Sequence, residues 1–106
     1  MTVRFNIGSL EIGGDRTFII SEIGNNHNGS LERAFEMVDD SIEFGADCVK
    51  FQMRNLDEVY RKRSLIKDGE DLGTEYIIDL LQKFELSADE HNKIAEYCDK
   101  KNILYV

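Results

Sequence analysis

The sequence lacks a long apolar segment. No run approaches the roughly 18 apolar residues that a membrane-spanning helix requires. The first twenty residues also lack the apolar stretch of a signal peptide, because charges interrupt them at Arg4, Glu11, Asp15 and Arg16. These absences favour a cytoplasmic protein that has no membrane partner.

Basic residues are scarce relative to acidic ones. Thirteen Lys and Arg residues stand against 21 Asp and Glu residues, so the formal net charge is −8. A field of this sign repels phosphate backbones and anionic membrane surfaces, which argues against a nucleic-acid partner. The short basic run at residues 61–63 is flanked by acidic residues and is interpreted as solvated surface.

Cysteine and histidine are few, and their spacing matches no common metal-binding motif. Cys48 and Cys98 stand far apart in no CxxC or CxxH pattern, so neither a zinc site nor a disulfide scaffold is indicated. His27 is alone in a loop, and His91 lies on the inward stripe of a predicted helix. We therefore expect buried thiols, a packed His91 and no metal site within this chain.

What is present suits one small folded unit. The chain has 106 residues, of which 42% are apolar and 32% charged. Apolar residues alternate in two short runs on either side of Gly8 and Ser9, at Val3, Phe5 and Ile7 and then at Leu10 and Ile12. This pattern predicts an N-terminal β-hairpin with a tight primed turn, within residues 1–16.

Residues 17–106 alternate between apolar runs and helical stripes. Residues 17–23 and 46–53 predict two strands, and the first is so apolar that we expect cover on both of its faces. Ser30 and Gly45 have the residue types that begin and end a helix, and they enclose the helical stripe between these strands.

The second half of the chain predicts a further crossover. A charged loop at 54–73 with a helical turn near 56–60 leads to a short helix marked by the apolar residues from Ile77 to Phe84. Ser87 and Glu90 form the pattern of a capping box for another helix, and residues 103–106 begin a third strand. This order predicts an α/β fold with right-handed crossovers and a parallel sheet.

Polar residues stand where parallel strands carry their functional groups, at the carboxyl ends. Glu22 lies near the end of the first strand, and Lys50 and Gln52 share one side of the second. Unpaired charges are costly at buried strand positions, so these groups must pair with each other or with a ligand. A structural ion pair between Glu22 and Lys50 and a functional site both remain open.

The loop at residues 24–29 holds two glycines and four polar side chains just before a helix N-terminus. Backbone amides in such a place suit an anion or a carbonyl oxygen. The loop lacks the GxGxxG and Walker spacings that indicate a nucleotide, so an ordinary turn is the alternative.

These same segments resemble a known family. FIISEIGNNHNGSL at 18–31 and GADCVKFQ at 45–52 resemble the opening of the sialic acid synthases, which are N-acetylneuraminate synthase and its legionaminate and pseudaminate relatives. ELS at 85–87 and EYCDKK at 96–101 resemble that family's third helix. The resemblance covers nearly the whole chain.

The resemblance implies a (β/α)8 TIM barrel that condenses phosphoenolpyruvate with an N-acetylated amino sugar, such as N-acetylmannosamine, to a nine-carbon 2-keto acid with release of phosphate. It implies a homodimer and a divalent metal, Mn²⁺ or Mg²⁺, whose ligands come from later strands. Lys50 is implied to hold phosphoenolpyruvate, and Glu22 to be the active-site carboxylate. Gln52, Asn26 and His27 are implied to line the substrate pocket.

The resemblance also implies parts that this chain does not contain. We expect residues 17–106 to be the first part of the barrel, with the later strands and a C-terminal antifreeze-like domain absent. The isolated chain is then expected to be inactive, as a truncated or fragmentary form of an enzyme. The alternative is a stand-alone, non-catalytic module that keeps an anion-binding or interaction role.

Overall fold

Local sequence signals determine where most elements begin and end in the computed structural model, which describes residues 3–59 and 72–106. In chain order the elements are β1 (Phe5–Ile7), β2 (Leu10–Ile12), β3 (Ile20–Gly24), α1 (Leu31–Glu43), β4 (Cys48–Phe51), α2 (Leu56–Val59), α3 (Leu72–Lys83), α4 (Ala88–Lys100) and β5 (Leu104–Tyr105). Within these ranges, no helix is long and apolar enough to cross a membrane.

The predicted N-terminal hairpin is confirmed. Strands β1 and β2 pair antiparallel with Ile7 opposite Leu10, which leaves Gly8 and Ser9 as a two-residue turn. Gly8 has a φ of 59°, a left-handed conformation that primed turns require at their first central position. A Cβ on Gly8 would lie 3.5 Å from the Leu104 side chain, so the turn sits beside β5.

The predicted parallel sheet is also confirmed. Its strand order is β3–β4–β5, and both pairs are parallel. Helix α1 connects the first pair and helices α2, α3 and α4 lie between the second, as crossover connections require. Helix α2 coincides with the expected helical turn. Residues 60–71 of the predicted loop lie outside the described residues, and α3 already begins at Leu72, before the predicted stripe.

Caps place the two longest helices as the sequence predicts. The Ser30 hydroxyl accepts a hydrogen bond from the Arg33 backbone N–H at 3.1 Å, and Gly45 follows the helix with a φ of 88°. At α4 the capping box is complete, because Ser87 and Glu90 each accept a bond from the other's backbone N–H.

The core lies between one face of the sheet and the helices. It contains Ile23, Ala34, Val38, Val49, Phe51, Leu86, Ile94, Cys98 and Ile103. Both cysteines are buried free thiols, as expected, and burial raises the pKa of Cys98 to about 11.

The expectation that the first strand is covered on both faces is wrong for the described part of the chain. Ile20 is 47% exposed, whereas Ile23 is 3% exposed. The physical reason is that α1 and α4 pack on the same side as Ile23 and Val49. On the other side Cys48, at the start of β4, is 2% exposed, but Ile20, Glu22 and Lys50 are largely exposed. The sheet therefore has a helix-covered face and an open face.

Asp47 fixes the entry into the parallel sheet. Its Oδ2 accepts a hydrogen bond from the Ile19 backbone N–H at 2.8 Å, and its Oδ1 pairs with Arg16. The Ile19 bond, with the Arg16 guanidinium, lowers the pKa of this nearly buried carboxyl. The segment before β3 is thereby held against the start of β4.

Two histidines are buried among the core aromatics. His27 is 1% exposed and His91 is 3% exposed, and both rings contact Phe51. The packed His91 is as the sequence predicts, and its Nδ1 lies 3.1 Å from the Tyr105 hydroxyl. Burial is the largest cause that lowers the pKa of each imidazole from its ordinary 6.5, so both favour the neutral form.

Truncation of the core is expected to destabilise the chain. Ile94→Ala removes a fully buried side chain and should lower the free energy of unfolding by about 2–5 kcal/mol. Ile77→Ala is the control, because Ile77 is 55% exposed and its truncation should change stability by roughly 0.5 kcal/mol or less. Urea unfolding followed by circular dichroism compares them, and equal losses would contradict the assigned core.

The buried histidines are expected to make stability depend on pH. Below pH 6.5 the unfolded chain protonates these imidazoles, while the folded chain resists protonation until a lower pH. The free energy of unfolding should therefore begin to fall as the pH drops through 6.5, before the pH reaches the range where carboxyls titrate. Urea midpoints at a series of pH values measure this fall. His91→Phe removes one titrating group and should make it shallower; an unchanged slope would refute the assignment.

Candidate active site

The sheet register brings Glu22 and Lys50 together. The two residues are direct partners in the β3–β4 ladder, so both side chains project from the open face. Lys50 Nζ lies 2.9 Å from Glu22 Oε1. The Glu22 side chain is 63% exposed and the Lys50 side chain is 51% exposed, so a ligand can reach the carboxylate and the ammonium from solvent.

The exposure of this ion pair bears on the two interpretations that the sequence left open. An exposed ion pair contributes about 0–1 kcal/mol, because water screens the charges and two side chains lose freedom. Fold stability alone therefore gives little reason for a carboxylate and an ammonium at these strand positions. The arrangement is well suited to exchange one partner for a charged ligand.

Gln52 joins the ends of β3 and β4 beside this pair. Its Oε1 accepts hydrogen bonds from Asn25 Nδ2 at 3.2 Å and from Arg54 Nη2 at 2.7 Å. A Cβ on Gly24 would lie 3.5 Å from Gln52 Nε2, so the backbone of the loop at 24–29, hereafter the strand-end loop, passes close to this amide. The rim of the site is therefore a network of amides that ends in a guanidinium.

Arg54 is the residue that sequence reasoning missed. Its guanidinium is bound to a neutral amide oxygen rather than to a carboxylate in the described part of the chain. The sequence did contain a signal for Arg54. Lys50, Gln52 and Arg54 are spaced two residues apart, so the alternation that places Lys50 on one side of β4 continues to Arg54 after the strand ends. A second cation is thus held at the end of β4, through the same Gln52 oxygen that binds Asn25 of the strand-end loop.

Asn26 and His27 lie apart from the Glu22–Lys50 pair. Asn26 Nδ2 donates to the Ile23 carbonyl at 2.7 Å, a local bond that closes the turn after β3. His27 is buried on the helix-covered side, with its ring centroid 6.1 Å from that of Phe51. Their assignment to the substrate pocket stays a prediction, while the structure gives each a contact within the fold.

The described residues do not by themselves fit a divalent metal. Residues 3–59 and 72–106 contain no group of three His, Cys, Asp or Glu side chains that could hold one. Among the described residues, the carboxylate that β3 and β4 place on the open face is Glu22, and the Lys50 ammonium already neutralises it. His27 Nδ1 is occupied by the Gly29 N–H, and its Nε2 is enclosed in the core. A metal would need ligands from outside these ranges.

Comparison with known proteins finds similar sequences along nearly the whole chain. Residues 37–106 match the NeuB family. The chain is 38% identical over 96% of its length to the spore coat polysaccharide biosynthesis protein SpsE of Bacillus subtilis. It is 32% identical over 89% of its length to the N-acetylneuraminate-9-phosphate synthase of Homo sapiens. It spans 28% and 27% of the lengths of these two relatives.

Solved structures extend the likeness to the fold. The N-acetylneuraminic acid (sialic acid) synthetase from Leptospira borgpetersenii, crystallised with citrate, superposes with a TM-score of 0.78 at 32% identity. This match covers 99% of the chain and 33% of that structure. The predicted fold class is confirmed: an α/β unit with a hairpin and parallel strands, consistent with the N-terminal part of a TIM barrel. Because the family match also covers more than half of the sequence, this chain belongs to the NeuB family.

Proposed function

We propose that this chain forms the phosphoenolpyruvate-contacting part of a sialic-acid-type synthase. The reaction condenses phosphoenolpyruvate with an N-acetylated amino sugar, N-acetylmannosamine or a related sugar, to a nine-carbon 2-keto acid with release of phosphate. The observation that carries the proposal is the Glu22–Lys50 pair, 2.9 Å apart and accessible on the open face at the carboxyl end of the sheet. Relatives named as N-acetylneuraminate-9-phosphate and N,N'-diacetyllegionaminic acid synthases support it.

Lys50 is the group that we assign to the phosphoenolpyruvate anion. Its ammonium is a compact charge that suits a phosphate or a carboxylate oxygen, and its present partner is an exposed carboxylate that such an anion can replace. Arg54, at the same rim, adds a planar donor for a second anionic oxygen. Gln52 orients this guanidinium and completes the polar rim, together with the backbone of the strand-end loop.

Glu22 is the group that we assign to water and to the sugar. When substrate takes Lys50, the carboxylate is released as a hydrogen-bond acceptor and base. In the proposed reaction a bond forms between C3 of phosphoenolpyruvate and the sugar aldehyde carbon, water adds at C2, and phosphate leaves. Glu22 would orient that water or a sugar hydroxyl and accept its proton.

The remaining parts of the proposal rest on the family resemblance. A divalent metal, Mn²⁺ or Mg²⁺, would supply polarisation of the sugar aldehyde, with ligands from outside this chain. We further propose a cytoplasmic homodimer, with residues 1–16 as a hairpin before a barrel that opens with residues 17–106. In this proposal the isolated chain is inactive. The rival proposal is a stand-alone anion-binding module. Its support is that the Lys50 ammonium is already accessible to an anion in this chain, with no further strand needed to form the contact.

The first test removes the assigned anion contact. In the full-length protein that carries these residues, Lys50→Gln should raise the KM for phosphoenolpyruvate by about 10- to 100-fold, because a hydrogen bond to a charged group is lost. Phosphate release with N-acetylmannosamine and related N-acetylated sugars is the measurement. Lys101→Gln is the matched control, since Lys101 is 47% exposed and pairs with Asp39 on the helix layer.

Two outcomes would contradict the proposal: no phosphate release with any such sugar, or the same KM for Lys50→Gln as for the control. Isothermal titration of the 106-residue chain with phosphoenolpyruvate addresses the module. Suppose that the 106-residue chain binds phosphoenolpyruvate, that Lys50→Gln abolishes this binding, and that the full-length protein shows no turnover. These results together would refute the synthase proposal and support the anion-binding module.

A second test separates the roles of the paired residues. Glu22→Gln removes the proposed base. It also removes the carboxylate that competes with phosphoenolpyruvate for the Lys50 ammonium. We expect kcat to fall by on the order of 10²-fold or more, while the KM for phosphoenolpyruvate does not rise. Asp39→Asn, on the helix layer, is the control. A raised KM with an unchanged kcat would instead assign Glu22 to substrate binding.

A further inference from the structure

His27 is bonded to the loop that forms the rim of the site. Its Nδ1 accepts a hydrogen bond from the Gly29 backbone N–H at 3.0 Å. An imidazole nitrogen that accepts from an N–H carries no proton, so the ring is neutral and its proton is on Nε2. The ring is 1% exposed and stacks on Phe51, so packing in the core holds it in position.

The strand-end loop is attached at several points to its surroundings. Asn26 Nδ2 bonds to the Ile23 carbonyl at the start of the loop. At the end of the loop, a Cβ on Gly29 would lie 3.0 Å from the Lys83 carbonyl, so Gly29 is packed tightly against the end of α3. Asn25, in the same loop, reaches Gln52 at the rim. The loop thus links the buried His27 ring to the polar rim.

His91 provides an internal comparison. It is buried almost as deeply as His27 and meets Phe51 edge-on, with its ring centroid 6.3 Å from that of Phe51. Its Nδ1, however, is paired with the Tyr105 hydroxyl. Two histidines therefore share one core environment, and the bond to the strand-end loop belongs to His27.

We propose that His27 is a positioning residue: its neutral ring, held by Phe51, fixes the strand-end loop through Gly29 and so keeps Asn25 against Gln52 at the rim of the substrate site. The proposal deepens the proposed function and rests on it. It assigns His27 no contact with substrate. What His27 supplies is an acceptor at Nδ1 on a rigid ring.

The experiment compares side chains that differ in this acceptor. Asn and Leu have the same branching at Cγ, but Asn places an oxygen where Nδ1 lies and Leu places a methyl group. In the full-length protein we expect His27→Leu to raise the KM for phosphoenolpyruvate or lower kcat/KM by about 10- to 100-fold, because a displaced rim misaligns the substrate. His27→Asn should restore most of this loss.

The matched controls are His91→Leu and His91→Asn. Both remove an equally buried ring next to Phe51, so both report the cost of a disturbed core. We expect them to lower the unfolding temperature while kcat/KM stays close to that of the parent protein. Equal kinetic losses for the His27 and His91 variants, or the same loss for His27→Leu and His27→Asn, would overturn the proposal.

A second variant and a spectroscopic measurement distinguish a displaced loop from a misfolded protein. Asn25→Ala removes the rim contact without touching the core, and we expect it to reproduce the kinetic loss at an unchanged unfolding temperature. In the 106-residue chain, imidazole ¹⁵N shifts should show Nε2 protonated and Nδ1 bare for His27. His27→Leu should also speed hydrogen exchange at the Gly29 amide, which His27→Asn should not do.

These readouts separate the two levels of the proposal. Absence of turnover in the parent protein would refute the synthase assignment, while the His27 tautomer and the Gly29 exchange rate would still be measured. A protonated Nδ1 at neutral pH, or an exchange rate that His27→Leu leaves unchanged, would refute the positioning role even in an active synthase.

Discussion

The parallel register between β3 and β4 is the constraint on which the rest of the structure depends. It places Glu22 beside Lys50 and, one position further along β4, Phe51 on the opposite face. Because side chains alternate along a strand, a slip by one residue would move the charged pair under the helices and expose the core residues. Burial of Val49 and Phe51 against α1 and α4 therefore also determines where the charged groups project. Core packing and site geometry are two results of one register.

Much of this arrangement was predictable because it follows from local rules. Strand alternation separated Lys50 and Gln52 from Val49 and Phe51, and the strand-end rule selected Glu22. The placement of His27 was not predictable in the same way. It stands in a polar loop with no periodicity, and it is buried against Phe51, which is distant in sequence. Arg54 likewise obtains its position from a contact with Gln52 beyond the end of the strand.

The open face explains the one clear failure of the fold prediction. A nearly continuous apolar strand indicates cover on both faces, yet Ile20 is about as exposed as the charged residues beside it. Exposed apolar strand residues next to an accessible ion pair form a surface that is costly to leave in water. In the proposed barrel, further strands would cover Ile20, while the carboxyl end of the sheet, where Glu22 and Lys50 lie, would remain the solvent-facing mouth of the site.

The ion pair and the functional site are therefore not exclusive interpretations of Glu22 and Lys50. A cation that binds an anionic substrate must release another partner first, and the cost of release depends on its surroundings. Breaking an exposed pair costs about 1 kcal/mol or less, whereas breaking a buried pair costs roughly 3–5 kcal/mol. A pair at the solvent-facing rim can exchange Glu22 for a phosphate or carboxylate at little cost. The displaced carboxylate then stands beside the newly bound anion, where repulsion favours any step that gives it a proton. In the proposed function, the pair is therefore the resting state of the site, and substrate binding itself would prepare the base.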